Sequence, residues 1–335
     1  MKNRLKKSLI YQWLYTTKWA IVLAIAAWAL YCIFVICDSK IYALKYDIGA
    51  LTTDRINHMN GIDSAVFIGI IIFVYLLSNG LNKRSKITLI NSGPYTRKDI
   101  FLNNFLCNLS VMLILILIYI YISICISIKY SDLLQYCSNY YFMVLLDVIK
   151  LFSFGILAIA YTLLVDILFS NSIVTILAIG CLPLSILGTV SFNLDLLSRY
   201  IGFNTISNRF IDTLLMYLSF NVNNEHYPPN YKNFAIISFS IFIISIIILY
   251  IVKFLNEKVQ FENVSNFFIF NFAKYVFVVI LSLGIGSAIT FVISNYLFGY
   301  QIFYVNYLFI SISIEVILVI ISSIILNNII SRFAK

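Results

Sequence analysis

Eight long apolar runs, separated by short polar segments, dominate the pattern of this chain. Each run covers roughly the 17 to 25 residues that a helix needs to cross about 30 Å of hydrocarbon. The pattern therefore predicts a polytopic transmembrane helix bundle with about eight spans, which cover residues 19–36, 64–81, 105–128, 144–168, 172–190, 234–252, 276–298 and 303–326.

The runs are predicted to be helices rather than the strands of a membrane β-barrel. Barrel strands alternate apolar and polar residues, whereas residues 112–119 read Met-Leu-Ile-Leu-Ile-Leu-Ile-Tyr. The many β-branched residues do not argue for strands, because a spanning segment in lipid must satisfy its own backbone hydrogen bonds. The composition, 61% hydrophobic and 11% charged, agrees with an all-α membrane protein.

The distribution of lysine and arginine predicts the orientation. With the amino terminus inside, fifteen of these residues lie in inner segments and seven in outer segments, Lys40 among the latter, while Lys150 falls within span four. The positive-inside rule then places both termini in the cytoplasm. The net charge of +9 is mostly a topogenic signal, and no nucleic-acid partner is predicted, because the basic residues are dispersed and no recognition motif accompanies them.

Residues 1–335 are predicted to form one transmembrane domain with distinct polar segments. In the first of these, Leu9 and Trp13 share a helical face and Lys7 lies on another, which favours an amphipathic helix on the inner leaflet. A frayed basic tail is the alternative. The predicted segments are the inner-leaflet helix 1–18, a cytoplasmic segment 79–105, an outer segment 191–231 and a second cytoplasmic segment 253–274.

The chain carries few groups that could perform catalysis. Its two histidines, His58 and His226, fall in outer loops far apart, and no H-E-x-x-H, G-x-S-x-G or G-x-x-x-x-G-K-[ST] motif is present. We therefore expect no metal site, no cofactor in this chain and no enzymatic activity. Any use of ATP would require a partner protein. Cys37 and Cys137 both map near the outer surface, where a disulfide is an option that the sequence leaves open.

The segment between spans two and three contains an unusual turn. Gly93-Pro94 interrupts the chain, Thr96 is placed to cap a new helix, and Asp99 lies in that helix's first turn before apolar residues resume at Ile100. This order predicts a short helix, a sharp turn, and a second helix that continues directly into span three.

The run Ser92-Gly-Pro-Tyr-Thr-Arg-Lys-Asp-Ile-Phe101 resembles a turn of ABC-2 type transporter permeases, "(S/L)-x-P-x-(S/T)-R-x-(D/E)-(I/L)". In that family the turn follows the second span and forms the coupling helix that docks on the ATPase. Ser92 stands where the family often has leucine. The resemblance assigns the coupling role to Gly93, Pro94, Tyr95, Thr96, Arg97, Lys98, Asp99, Ile100 and Phe101.

A second stretch, after span six, is similar to the "E-x-x-G" segment of eight-span members that work with antimicrobial-peptide or acetoin-linked ATPases. Here Glu262 matches, and Ser265 stands in place of glycine. The resemblance implies an exporter subunit that works as a homodimer or heterodimer with separate ABC ATPase subunits, which bind ATP and magnesium. The bias towards Asn, Ile, Lys and Tyr indicates an AT-rich bacterial genome, and so a multi-pass protein of a bacterial plasma membrane.

An ion-coupled secondary transporter is the alternative, because such proteins place ionisable residues at membrane depth. The candidates are Asp147, Lys150, Asp166 and Glu315. Asp147 and Lys150 are three residues apart on one helical face, so they can also form a structural ion pair that faces the bundle. Glu315 sits in the middle of span eight with no nearby basic residue in the sequence. It is expected to be protonated or to face a partner subunit.

Overall fold

The computed structural model describes residues 7–46, 59, 61–80, 96–135, 140–201, 231–259, 268–298 and 305–333. Within these ranges, eight helices are long and apolar enough to cross a membrane, which confirms the predicted helical class and span number. The helices are α1 (Lys7–Tyr31), α2 (Asp38–Tyr46), α3 (Gly61–Tyr75), α4 (Arg97–Lys129), α5 (Ser131–Leu134), α6 (Tyr140–Leu168), α7 (Ser172–Ile201), α8 (Tyr231–Lys258), α9 (Asn271–Phe298) and α10 (Val305–Phe333).

The chain divides into two compact units. The first contains α1 to α5, α6 as far as Leu164, and α8; the second contains the last turn of α6, with α7, α9 and α10. The division concerns packing within the one chain for which a single domain is predicted. Both units are bundles of apolar helices, which is the arrangement that lets every backbone group in lipid bond within its own segment.

The first helix runs without a break from Lys7 into the first span. Leu9 and Trp13, expected to lie on the inner leaflet, are buried against the protein, whereas Leu14 is exposed. The segment 1–18 is thus, from Lys7 onward, the first part of the spanning helix rather than a separate helix. Its position in the leaflet stays a prediction.

A π-helical segment, Cys32–Cys37, joins α1 to α2. The buried residues of this region recur every fourth position, through Ala24, Trp28, Cys32, Ile36 and Lys40. In an α-helix, four residues overshoot a full turn by about 40°, so such a stripe drifts around the helix. The wider π turn, with its i→i+5 bonds, reverses that drift. It therefore brings Lys40 back towards the buried face of the helix.

The core of the first unit lies where α1, α3, α4 and α6 meet. Trp28 is fully buried, donates its indole N–H to the Leu115 carbonyl at 2.8 Å, and lies 5.1 Å from the Phe67 ring. Gly155 of α6 faces the side chain of Met112, and a Cβ there would collide with that side chain. The aromatic rings thus fill the space between these helices, and the glycine lets α6 approach α4 closely, as van der Waals packing in lipid requires.

The second unit is held by close packing and by hydroxyl hydrogen bonds. Gly284 of α9 lies against Ser185 of α7, so closely that a Cβ on the glycine would collide with the Ser185 side chain and Cα. Thr189 and Ser287 pair across the same interface at 3.3 Å. At one end of the unit, Phe169 and Phe268 form an antiparallel bridge, and their rings pack with Phe277.

Candidate functional site: a capped helix junction and a buried charge cluster

The described part of the predicted coupling segment begins with a capping box. The Thr96 hydroxyl accepts the Asp99 backbone N–H, and the Asp99 carboxylate accepts the Thr96 backbone N–H, each at 3.2 Å. This reciprocal pair satisfies two of the orphan donors at a helix start. The helix then continues without interruption to Lys129, so the prediction of a helix that feeds directly into span three is confirmed.

The start of α4 is bonded to the end of α8, which is span six. Asn256 donates its side-chain amide to the Arg97 carbonyl at 3.2 Å, and Lys98 forms an ion pair with Glu257 at 3.1 Å. We call Arg97, Lys98, Asn256 and Glu257 the α4–α8 junction. Both side chains of the ion pair are exposed, so solvent limits its contribution to about 0.2–1 kcal/mol. The junction therefore fixes position more than it stabilises the fold.

Only some of the other residues to which the resemblance gives a role are among the described residues. Ile100 and Phe101 are half-buried in the first turns of α4. Gly93, Pro94 and Tyr95 lie outside the described residues, as do Glu262 and most of the outer segment 191–231. The junction nevertheless joins described parts of the two segments, 79–105 and 253–274, that the sequence predicts to be cytoplasmic.

A second polar arrangement is buried within the first unit. We call the four ionisable groups Lys40, Asp63, Asp147 and Lys150, with Tyr31 and Tyr119, the buried charge cluster. The four charged side chains are 3%, 6%, 2% and 0% exposed, respectively. Two acids and two bases balance in formal charge, which reduces the cost of roughly 3 kcal/mol for each charge placed at membrane depth.

The cluster is formed by residues of five helices of the unit. Lys40 of α2 donates to the Tyr119 hydroxyl of α4 at 2.7 Å and lies 3.5 Å from the Asp147 carboxylate of α6. Tyr119 donates in turn to Asp147, so its hydroxyl bridges base and acid. From α1, Tyr31 donates to Asp63 of α3 at 2.7 Å. The charges of Asp63 and Asp147 both act on Lys150.

Asp147 and Lys150 also form hydrogen bonds with the backbone of Met59, which lies just before α3. The Asp147 carboxylate accepts the Met59 N–H at 3.2 Å, and Lys150 donates to the Met59 carbonyl at 2.8 Å. The two side chains do share one helical face and do point into the bundle, as their spacing indicates. Their neighbours could not be identified from the sequence: Lys40, Asp63, Tyr31, Tyr119 and Met59. Lys40 was expected only to be an outer topogenic charge.

Glu315 lies in the second unit, in a different setting. Its carboxylate, in a side chain that is 8% exposed, accepts a hydrogen bond from the Asn193 side chain at 3.3 Å. Asn193 also donates to the Thr189 carbonyl at 3.0 Å. A neighbouring helix of the same chain therefore supplies a partner that could not be identified from the sequence, since the two residues are far apart along the chain.

We expect Glu315→Gln to preserve folding, because glutamine keeps the side chain's shape and still accepts from Asn193. The loss in stability should stay within the 0.5–1.5 kcal/mol typical of one hydrogen bond. The apparent melting temperature in mild detergent, read by size-exclusion chromatography after heating, measures this. Glu315→Ala is the comparison, since it leaves the Asn193 amide without this acceptor. A collapse of the glutamine variant would show that the negative charge itself is needed.

The cysteines form no further site among the described residues. Cys37 is a free thiol, and Cys137, with which the sequence leaves a disulfide open, lies outside the described ranges. In the same ranges, no group of three His, Cys, Asp or Glu side chains is arranged to hold a metal ion.

Comparison with known proteins gives no family assignment. No protein-family model, curated protein or solved structure matches the chain. What the residues themselves show is a multi-pass membrane protein with eight apolar helices, a capped helix start fastened to span six, and a buried, charge-balanced cluster.

Proposed function

We propose that this chain is the transmembrane permease subunit of an ATP-binding cassette exporter. It would work in a bacterial plasma membrane as a homodimer or heterodimer, with separate ATPase subunits that supply ATP and magnesium. The α4–α8 junction is the single observation that carries this proposal. It joins described parts of two predicted cytoplasmic segments, the first of which resembles the coupling helix of ABC-2 permeases and the second a segment of their eight-span members.

The geometry of α4 suits a coupling element. A docked ATPase would contact the end of the helix near Arg97, and the capping box prevents that end from fraying. The helix has 33 residues and extends about 50 Å at a rise of 1.5 Å per residue. A push at Arg97 would therefore be carried through span three as a movement of one rigid body. Because Asn256 and Glu257 of α8 are bonded to the first residues of α4, span six would move together with span three.

The test removes docking contacts without disturbing the helix start. Asp99 is a poor probe by itself, since its carboxylate caps the helix and Asp99→Ala would cost about 1 kcal/mol of helix stability. Arg97→Glu reverses a charge in the first turn and leaves the capping box in place. We expect it to abolish most of the ATP hydrolysis that co-purifies with the tagged chain from its native membranes, because interface charges fix register and partner choice.

Lys129→Glu is the matched control, since it reverses a basic residue at the opposite end of the same helix. It should keep the wild-type level of co-purifying ATP hydrolysis. Equal ATP hydrolysis in the Arg97→Glu and wild-type preparations would contradict the docking role. The ion-coupled alternative predicts that no ATP hydrolysis accompanies the purified wild-type chain and that transport survives the depletion of ATP.

A further inference from the structure

The buried charge cluster has no role in docking, yet it brings together parts of α2, α3 and α6 that lie towards one end of the bundle. Met59 lies two residues before the start of α3, Lys40 is the third of the nine residues of α2, and Asp147 is the eighth residue of α6. At about 1.5 Å per residue, Asp147 is about 10 Å from the start of α6, and Tyr119 is about 15 Å from the end of α4. The orientation predicted from charge makes this the outer side.

We propose that the buried charge cluster is the outer gate of the first unit, and that it opens during the transport cycle. In the closed arrangement, Lys40 and the Met59 backbone are bound to the Asp147–Lys150 face of α6. Opening separates α2 and the residue before α3 from that face. Water then enters the interior of the unit from the outside.

The arrangement favours two discrete states rather than gradual loosening. Asp147 is bound at once by Lys40, Tyr119 and the Met59 N–H, while Lys150 holds the Met59 carbonyl. Parting one of these bonds leaves a buried charge or a backbone group without its partner, which is costly away from water. The bonds therefore separate together, as water replaces them, and form together as water leaves. Such bistable contacts are what convert small shifts into a switch.

Helix α4 contributes residues both to the α4–α8 junction and to the gate. Arg97 and Tyr119 lie on α4 about 33 Å apart at 1.5 Å per residue. A rigid secondary element with contacts at both ends is the physical means by which distant sites are coupled. This link from junction to gate rests on the proposed function, whereas the gate itself does not.

The reactivity of the Cys32 thiol measures opening of the gate, and this measurement does not require the transported substrate to be known. It is fully buried, one turn after Trp28, and the charges of Asp63 and Lys40 act on it. With the other five cysteines replaced by alanine, intact cells are treated with a membrane-impermeant, positively charged methanethiosulfonate reagent. In cells depleted of ATP and of membrane potential, Cys32 should be protected. In energised cells it should react about tenfold faster, in proportion to the open population.

The gate variants give the second arm of the test. Lys40→Met should raise Cys32 reactivity about tenfold even in depleted cells, because the open population rises when one partner is removed. Lys45→Met is the control, since Lys45 is an exposed lysine of the same helix, and it should leave reactivity unchanged. If Lys40→Met fails to fold, Tyr119→Phe removes the bridging hydroxyl without changing any charge.

Protection of Cys32 in both energised and depleted wild-type cells would overturn the gate. So would unchanged protection in a folded Lys40→Met or Tyr119→Phe variant. These outcomes are separate from the failure of the proposed function, which is read from co-purifying ATP hydrolysis. If Cys32 responds to membrane potential while ATP is depleted, the gate stands and the ATP-driven function does not.

Discussion

Asp147→Leu is expected to be among the most destabilising single substitutions in this protein, by about 3–5 kcal/mol. The change leaves Lys40 and Lys150 buried without their shared acid and removes the acceptor of the Met59 N–H. Removal of one member of a buried ion pair costs far more than the pair itself contributes, because the remaining charge stays away from water. The apparent melting temperature in mild detergent, measured by size-exclusion chromatography after heating, should fall sharply.

Asp132→Asn is the matched control, because Asp132 is an exposed acid of α5 near the same end of the bundle. Its apparent melting temperature should equal that of the wild type. The double variant Lys40→Met with Asp147→Leu should recover part of the loss, since apolar residues can replace a buried pair at little cost. If Asp147→Leu melts at the wild-type temperature, the cluster does not hold the unit together.

Gly284→Ala should produce the largest effect expected in the second unit. A Cβ at this position would lie 2.5 Å from the Cβ and 2.8 Å from the Cα of Ser185, so α7 and α9 would have to separate. Overpacking of this kind costs about 1–3 kcal/mol. The gain in helix propensity from glycine to alanine, about 1 kcal/mol, offsets only part of that cost. We expect a net fall in the apparent melting temperature.

Gly188→Ala supplies the comparison, because nothing lies within 4 Å of a Cβ at that position of α7. Its propensity gain is unopposed, so this variant should melt at or above the wild-type temperature. The opposite order of the two alanine variants would mean that α7 and α9 do not pack at Gly284. The Thr189–Ser287 contact belongs to the same interface and should be weakened along with it.

The features that were predicted correctly are those that depend on neighbours in sequence. The eight spans follow from runs of apolar residues, because a helix in lipid satisfies its backbone bonds within one segment. The capping box follows from Thr96 and Asp99, which are three residues apart. The orientation of the termini and the ATPase partner stay predictions.

The tertiary structure alone decided where the buried charges find partners. Lys40 and Tyr119 are 79 positions apart, and Asn193 and Glu315 are 122 positions apart. No short-range pattern marks such pairs, so Lys40 looked like an ordinary outer lysine. The π-helical turn that brings it to the buried face breaks the 3.6-residue period on which a sequence pattern depends. Likewise, the α4–α8 junction joins spans three and six. Apolar length alone determines that a segment crosses the membrane, whereas packing against the other spans decides which of its faces meets which partner.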